Sequence, residues 1–576
     1  MRSIALPAAV AALLIGAGSL GTVEAQATPD YDVVLRGGRV MDGSGNPWFG
    51  ADVAIKAGRI VAVGRVDPSA RASRVVDVRG KLVVPGFIDL HNHANDSPDP
   101  ANSLRDPDRR RRAALNVVTQ GVTTLVVNPD GSQSGPIGET RAAMERLGVG
   151  TNVVLMVGHN AVRRWVMRND YRRLATAEEI ARMQGLVRQG MEEGAFGLSA
   201  GLEYVPGRWS NTDEVIRLVK EIVPFGGFYI AHERSESTSP MWWKPSQHPA
   251  DPPTLLDAVA ETIQIGESTG ALVVASHIKA RGANYWGSSH AAINLIERAR
   301  SRGVQVYADQ YPYITSGSDG SVVLVPDWAI GFAQWDRASG GSEPTPAYAA
   351  TLRRTMAQPA EAAKARRDIQ HELEFRGGAE NIVVFDYPDK RYIGRNLESI
   401  ARERNLSPVD AAITLQLEGF PDRPGGARLR SFSFAESDVE AFARQPWTAT
   451  ASDGGIALPE DGPDVHPRYY GTFPRKIRVY ALDRRVISVE HAIRSMTSLP
   501  AQILGLHDRG VIRDGAAADL AVIDLDSLRD NATFTAPHQH SSGVDYVLVN
   551  GAFVVDQGKT TAALPGQVLR RVRPSR

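Results

Sequence analysis

Four histidines and one aspartate each stand at the end of an apolar run. Pro85-Gly86-Phe87-Ile88-Asp89-Leu90 leads into His91-Asn92-His93. On a strand, residues i and i+2 point to the same side, so two imidazoles from one strand end can converge on one cation. Tyr229-Ile230-Ala231 ends in His232, and Val273-Val274-Ala275-Ser276 ends in His277. The small residues 448–452 lead into Asp453-Gly454-Gly455. A lone His-x-His reads better as two surface histidines on a loop. Five such residues closing apolar runs point to one metal site. Neutral imidazole and carboxylate suit Zn²⁺ and related divalent ions. The chain has no cysteine, so disulfides and thiolate ligands are excluded and any ligand must be His, Asp, Glu or water.

These residues need elements that bring them to one face. Residues 123–127, 152–157, 196–198, 228–231, 272–275 and 304–308 are strand-like, with helical stretches such as 176–193, 212–223 and 253–268 between them. Thr176 with Glu179 three residues on has the form of a capping box. Repeated strand–helix alternation predicts an α/β fold, a (β/α)₈ TIM-like barrel, whose strand C-termini line one catalytic mouth. The two ends of the chain differ from this middle. Residues 31–35, 51–55, 60–63 and 82–84, and again 518–524, 544–549 and 552–555, read as short strands. Breaks are expected at Gly37-Gly38, Gly543, Gly551 and Gly558. Both ends are expected to join in one small β-sandwich. The expected division is residues 26–84 and 505–576 for the sandwich and 85–504 for the barrel, with an insertion at about 326–379 over its mouth.

The 576 residues carry 65 Lys plus Arg against 65 Asp plus Glu. A zero balance gives no long-range attraction for nucleic acid or acidic membranes. The run Arg109-Arg110-Arg111-Arg112 is expected to be a solvated helix face. Arg2, the uncharged apolar residues 4–20 and the small residues around Ala25 have the pattern of an export signal over residues 1–25. No second apolar segment of spanning length follows. A periplasmic or secreted protein is therefore expected. Oligomeric state has no signature in the sequence.

The motifs together resemble the amidohydrolase superfamily, and within it the D-aminoacylase (N-acyl-D-amino-acid deacylase) group. PGFIDLHNH (85–93) marks the superfamily; SHIKA (276–280), ADQYPY (308–313) and HPRYYGTFPR (466–475) narrow it to the deacylases. GVTTLVV, GHNAVR, GAFGLSAGLEYVPG, AHERSE, SDGG, MTSLPA and GAAADLAVID extend the likeness over essentially the whole mature chain. The resemblance implies a barrel with a small β-sandwich and one or two divalent metals. His91 and His93 would hold one, His232 and His277 the other. Asp453 would contact metal and act as general base, then as acid towards the leaving amine. Lys279 and Arg468, with Tyr311 or Tyr313, would grip the substrate carboxylate. A cation fork and a phenol suit an anionic end. In one place the chain departs from the group. Asp130 of Asn128-Pro129-Asp130-Gly131 stands where the deacylases carry a Cys ligand. A hard carboxylate there admits Mn or Co beside Zn. Glu203, after the 196–198 run, competes for the bridging role, and the expectation leans to Glu203 with Asp130 beside it.

The expected reaction is metal-dependent hydrolysis of the amide of an N-acyl-D-amino acid or similar small amide. The alternatives are a secreted dipeptidase or peptide amidase, or a lactonase or esterase, since metal-activated water does not require an amide. Trp242 and Trp243, in the Pro-rich stretch after His232, are a candidate wall for the substrate. Export is checked by N-terminal sequencing: protein recovered from periplasm or medium should begin at Gln26, and an intact Met1 there refutes it.

Overall fold

The computed structural model describes residues 29–248, 250–332 and 347–571. The expected export segment lies outside them. Among the described residues no helix is long and apolar enough to cross a membrane.

Eight parallel strands form the centre. Phe87–Asn92, Val122–Val127 and Asn152–Leu155 pair in that order, and Val157–Gly158 continues the third into Gly197–Gly201, Phe228–His232, Leu272–Ala275, Val306–Gln310 and Thr448–Thr450. The last strand returns to the first through a bridge between Asn92 and Gly454, with the Asp453 N–H on the His91 carbonyl at 3.0 Å and the His93 N–H on the Gly454 carbonyl at 2.7 Å. The sheet is therefore closed into a barrel. Its strands are buried on both faces, which is why they read as near-continuous apolar runs rather than alternating ones. The flanking helices are amphipathic: Ile180, Met183, Val187 and Met191 form the buried stripe of Ala177–Glu192. That helix starts on the anticipated capping box, the Thr176 hydroxyl accepting from the Glu179 N–H at 3.2 Å and the Glu179 carboxylate from the Thr176 N–H at 2.8 Å.

The chain ends make a nine-stranded mixed sheet. Leu82–Pro85 from the N-terminal part pairs antiparallel with Leu520–Ile523 from the C-terminal part. One apolar cluster takes Ile60 from one end of the strand order and Leu548 from near the other, so the sheet folds over onto itself. Gly37-Gly38 does not break the first strand. Tyr31–Val40 runs through it with a register shift between Leu35 and Gly38, a bulge that the flexible pair accommodates.

Two further expectations are corrected. The insertion does not end near Ala379. A separate apolar core runs from Val322 to Leu429, and Ile382–Asp386 and Arg428–Ser431 pair antiparallel with each other, off the barrel. Their composition resembles barrel strands, and only the pairing tells them apart. The arginine run is not simply solvated either. Arg111 is buried and its guanidinium bonds both oxygens of Asp461, at 2.7 and 2.5 Å.

Candidate metal centre

The barrel mouth collects the predicted residues. His91 comes from the first strand and His93 follows it; Asp130, Glu203, His277, Tyr311 and Asp453 follow the second, fourth, sixth, seventh and eighth; His232 closes the fifth. His91 Nε2 and His93 Nε2 lie 3.3 Å apart, and His232 Nδ1 lies 3.1 Å from His277 Nε2. Asp453 Oδ1 is 2.9 Å from His93 Nε2 and 3.6 Å from His91 Nε2. Asp130 stands between the two imidazole pairs. Its Oδ1 is 3.6 Å from His91 and 3.5 Å from His277; its Oδ2 is 3.8 Å from His93 and 4.0 Å from His232.

This places Asp130, not Glu203, at the centre. Glu203 Oε2 sits on His232 Nε2 at 2.8 Å and its Oε1 accepts the Met241 N–H at 2.5 Å. It therefore backs His232 from behind, and the lean towards Glu203 as the bridge is reversed. The short side chain of Asp130 reaches because its backbone is left-handed, φ +53°, between Asn128 at +63° and Gly131 at +73°. Ser199 pins this turn by donating to the Asn128 carbonyl at 2.6 Å and accepting the Gly131 N–H at 3.2 Å. Asn160 bonds the backbone of Gly201, and a Cβ on Gly131 would collide with it.

The imidazoles are aimed by what holds their far nitrogens. Ser276 Oγ donates to Asp309 at 3.0 Å and so accepts from His91 Nδ1, 2.6 Å away. That leaves Nε2 of His91 as a lone pair facing inward. His93 Nδ1 bonds Asp96, and His277 Nδ1 lies 2.7 Å from Lys279 Nζ and 3.1 Å from Glu236. Burial drives His91 down to about 3 despite Asp130 and Asp453, so it is neutral and available as a donor. Burial and Lys279 oppose a charge on His277, yet Asp453, Asp130 and Glu236 outweigh them and raise it to about 10. A cation would take over the charge that this proton supplies. Asp453 is held well below the usual carboxylate range: burial works against this, and Arg468 with the imidazoles outweighs it.

The donors fit a divalent metal. Asp130 Oδ1 is buried and has no hydrogen-bond partner, and imidazole nitrogens face one another at 3.3 and 3.1 Å. His91, His93 and Asp453 form one ligand group, His91, Asp130 and His277 a second, His232, Glu236 and His277 a third.

The substrate-side residues divide. Arg468 Nη1 is 2.8 Å from Asp453 Oδ2, and its guanidinium lies 4.7 Å from the Tyr311 ring centre. Lys279 forms an ion pair with Glu236 and lies 5.7 Å from the same ring. Tyr311 therefore faces the centre, its hydroxyl unpartnered. Tyr313 turns away, towards Gly471 and Arg475. The Trp242–Trp243 segment packs on the insertion: Trp243 lies against His371, and Lys244 bonds Glu372 at 3.0 Å. Glu236, Asp309 and Asp96 were not anticipated. Glu236 and Asp309 lie in AHERSE and ADQYPY, but no spacing rule singles out a carboxylate that supports a ligand from behind.

The sequence pattern of the amidohydrolase family matches residues 74–213 and 350–555. The chain belongs to the amidohydrolase family. It is 32% identical to the D-aminoacylase of Alcaligenes xylosoxydans xylosoxydans over 94% of this chain and 98% of that one. A solved D-aminoacylase with a binuclear metal centre superposes with a TM-score of 0.68 at 30% identity, covering 94% of this chain and 100% of that one. The N-acyl-D-glutamate deacylase of Bordetella bronchiseptica superposes with a TM-score of 0.70 at 28% identity over 94% and 99% of the two chains. That structure holds zinc and a phosphonate mimic of the tetrahedral intermediate. The protein is a metal-dependent amidohydrolase related to the D-aminoacylases. Elemental analysis tests the bridge. Asp130→Asn should lose more bound metal than Glu203→Gln, and the opposite order would return the bridging role to Glu203.

Proposed function

We infer that the chain hydrolyses the amide bond of an N-acyl-D-amino acid or a similar small amide. The observation that carries this is the double engagement of Asp453, whose Oδ1 faces His93 and whose Oδ2 faces Arg468. His91, His93, His232, His277, Asp130 and Asp453 would hold one or two divalent ions, zinc first among them. Such an ion acidifies water and polarises a carbonyl oxygen. Asp453, ionised and next to the imidazoles, takes a proton at Oδ1 and passes it to the departing amine nitrogen. Arg468 keeps that carboxylate charged and oriented. Its Nε atom and the Tyr311 hydroxyl are both buried and unpartnered, and they would receive the substrate carboxylate beside the reacting centre, with Lys279 completing the grip. No serine or cysteine nucleophile is needed; Ser199 and Ser276 are occupied in holding Asp130 and His91.

A hydrolysis screen of the metal-loaded enzyme over N-acyl-D-amino acids, N-acyl-L-amino acids, dipeptides and lactones tests this reading. Preference for a dipeptide would make the enzyme a peptidase, and preference for a lactone an esterase. Asp453→Asn should lower kcat by roughly 10²–10⁴-fold with the fold intact, since its amide cannot accept the proton. More than about a tenth of the wild-type rate would exclude the general-base role. Arg468→Ala should weaken substrates with a free carboxylate by on the order of 1.5–3 kcal/mol more than their neutral amides. An equal loss on both would show that Arg468 serves Asp453 alone.

A further inference from the structure

Seven arginines are buried among the described residues, and six of them lie against a carboxylate. Arg430 does not. It lies on Arg428–Ser431 of the insertion and is 2% exposed. Its Nε and Nη1 have no hydrogen-bond partner. The guanidinium lies near the rings of Phe534 and Phe385, 4.6 and 5.8 Å from their centres. Ring faces attract a cation but accept none of its in-plane N–H groups. Burial lowers Arg430 to about 10 while Asp319, beyond ion-pair distance, holds it up, so it is charged at neutral pH. A desolvated guanidinium with no carboxylate bonded to it is costly, and its empty N–H groups mark a place for one.

Its position relates it to the reaction. The loop of residues 316–320 follows the seventh barrel strand and Tyr311. A Cβ on Gly320 would lie 2.5 Å from Arg430 Nη2, and one on Gly317 would lie 2.9 Å from Arg468 Nη2. These two glycines let a guanidinium approach the backbone at each end of one short loop. The carboxylate within that loop, Asp319, is already engaged by Arg281, Arg376, Ser431, Ser433 and Ser316. Arg430 thus lies at one end of the loop whose other end lies against Arg468, with its Nε and Nη1 unused.

The geometry points to Arg430 as the receptor for a second carboxylate, carried on the side chain of an N-acyl amino acid whose α-carboxylate sits on Arg468. This rests on the amide-hydrolysis reading above and narrows the substrate to the dicarboxylic class. Recognition is by charge-assisted, potentially bidentate hydrogen bonds, so a neutral side chain of the same shape is the discriminating probe.

The test compares N-acetyl-D-glutamate with N-acetyl-D-glutamine. Wild-type enzyme should favour the glutamate compound by roughly tenfold or more in kcat/KM. Arg430→Met should collapse that ratio towards one, and Arg430→Lys should restore part of it. A wild-type ratio near one, or a ratio unchanged in Arg430→Met, overturns the proposal. Should Arg430→Met fail to fold, calorimetry on the intact wild-type protein decides with D-glutamate and D-glutamine, which lack the acyl group. Tighter binding of D-glutamate supports the second carboxylate site, and equal affinities overturn it. Cleavage of neither acyl compound would refute the amide reading by itself, while the calorimetric comparison would still read the site.

Discussion

Two carboxylates buried among four imidazoles set the terms for the rest of this molecule. Asp130 and Asp453 keep only about 10% of their side-chain surface exposed, and a carboxylate so withdrawn from water is costly unless charge is returned to it. The imidazoles and Arg468 return part of it, and a divalent ion would return the rest. The arrangement also strains the backbone. Asp130, His277 and Asp453 have φ of +53°, +36° and +48°. Non-glycine residues held there cost on the order of 1–3 kcal/mol each and persist only where the surroundings over-determine them. Three of the residues that face the centre are thus among the thirteen described non-glycine residues with positive φ.

The surroundings that over-determine them are the barrel and its second layer of polar groups. Asp309 accepts from the His277 N–H at 2.6 Å and from Ser276, which in turn accepts from His91. One carboxylate thus fixes the backbone of one candidate ligand and the tautomer of another on a different strand. Asp89 does similar work across the closure of the barrel, accepting from the Ser452 N–H at 2.8 Å and from the Ser452 hydroxyl. The turn carrying Asp453 is thereby tied to the strand carrying His91. Burial raises Asp309 to about 7 and Asp89 to about 6, each offset by the hydrogen bonds it accepts. Losing one such partner would leave a buried polar group without a bond, costing about 1–3 kcal/mol.

What was legible in the sequence follows from this layering. Barrel strands are buried on both faces, so apolar runs ending in His or Asp give both the fold and the inward-facing residues. The capping box at Thr176 is local and was equally readable. The lean to Glu203 over Asp130 fails because rank depends on φ at one residue and on which imidazole nitrogen each carboxylate meets. The extent of the insertion was hidden for a different reason. Ile382–Asp386 has barrel-strand composition, and only long-range pairing with Arg428–Ser431 removes it from the barrel. Arg111 was misread because its partner Asp461 lies 350 residues away in sequence. Glu236 and Asp309 act through other residues, and no periodicity marks such a role.

The insertion is joined to the metal centre through charge rather than through apolar contact alone. Asp319, in the loop after the seventh strand, binds Arg281, three residues beyond Ile278 on the segment that carries His277 and Lys279. It also binds Arg376, which closes the insertion helix Pro359–Phe375 and pairs with Glu372. Glu372 continues the chain to Lys244, in the segment whose Met241 N–H holds Glu203. A buried ionic chain of this kind is a weak source of stability, because desolvating each ion offsets most of the attraction. Its directional bonds nonetheless admit few geometries. A small shift of the insertion would break several of these charge-assisted bonds at once. The network therefore fixes the insertion against the loop after the seventh strand, and Arg430, carried by the same strand as Ser431, is held at a defined place at the end of that loop.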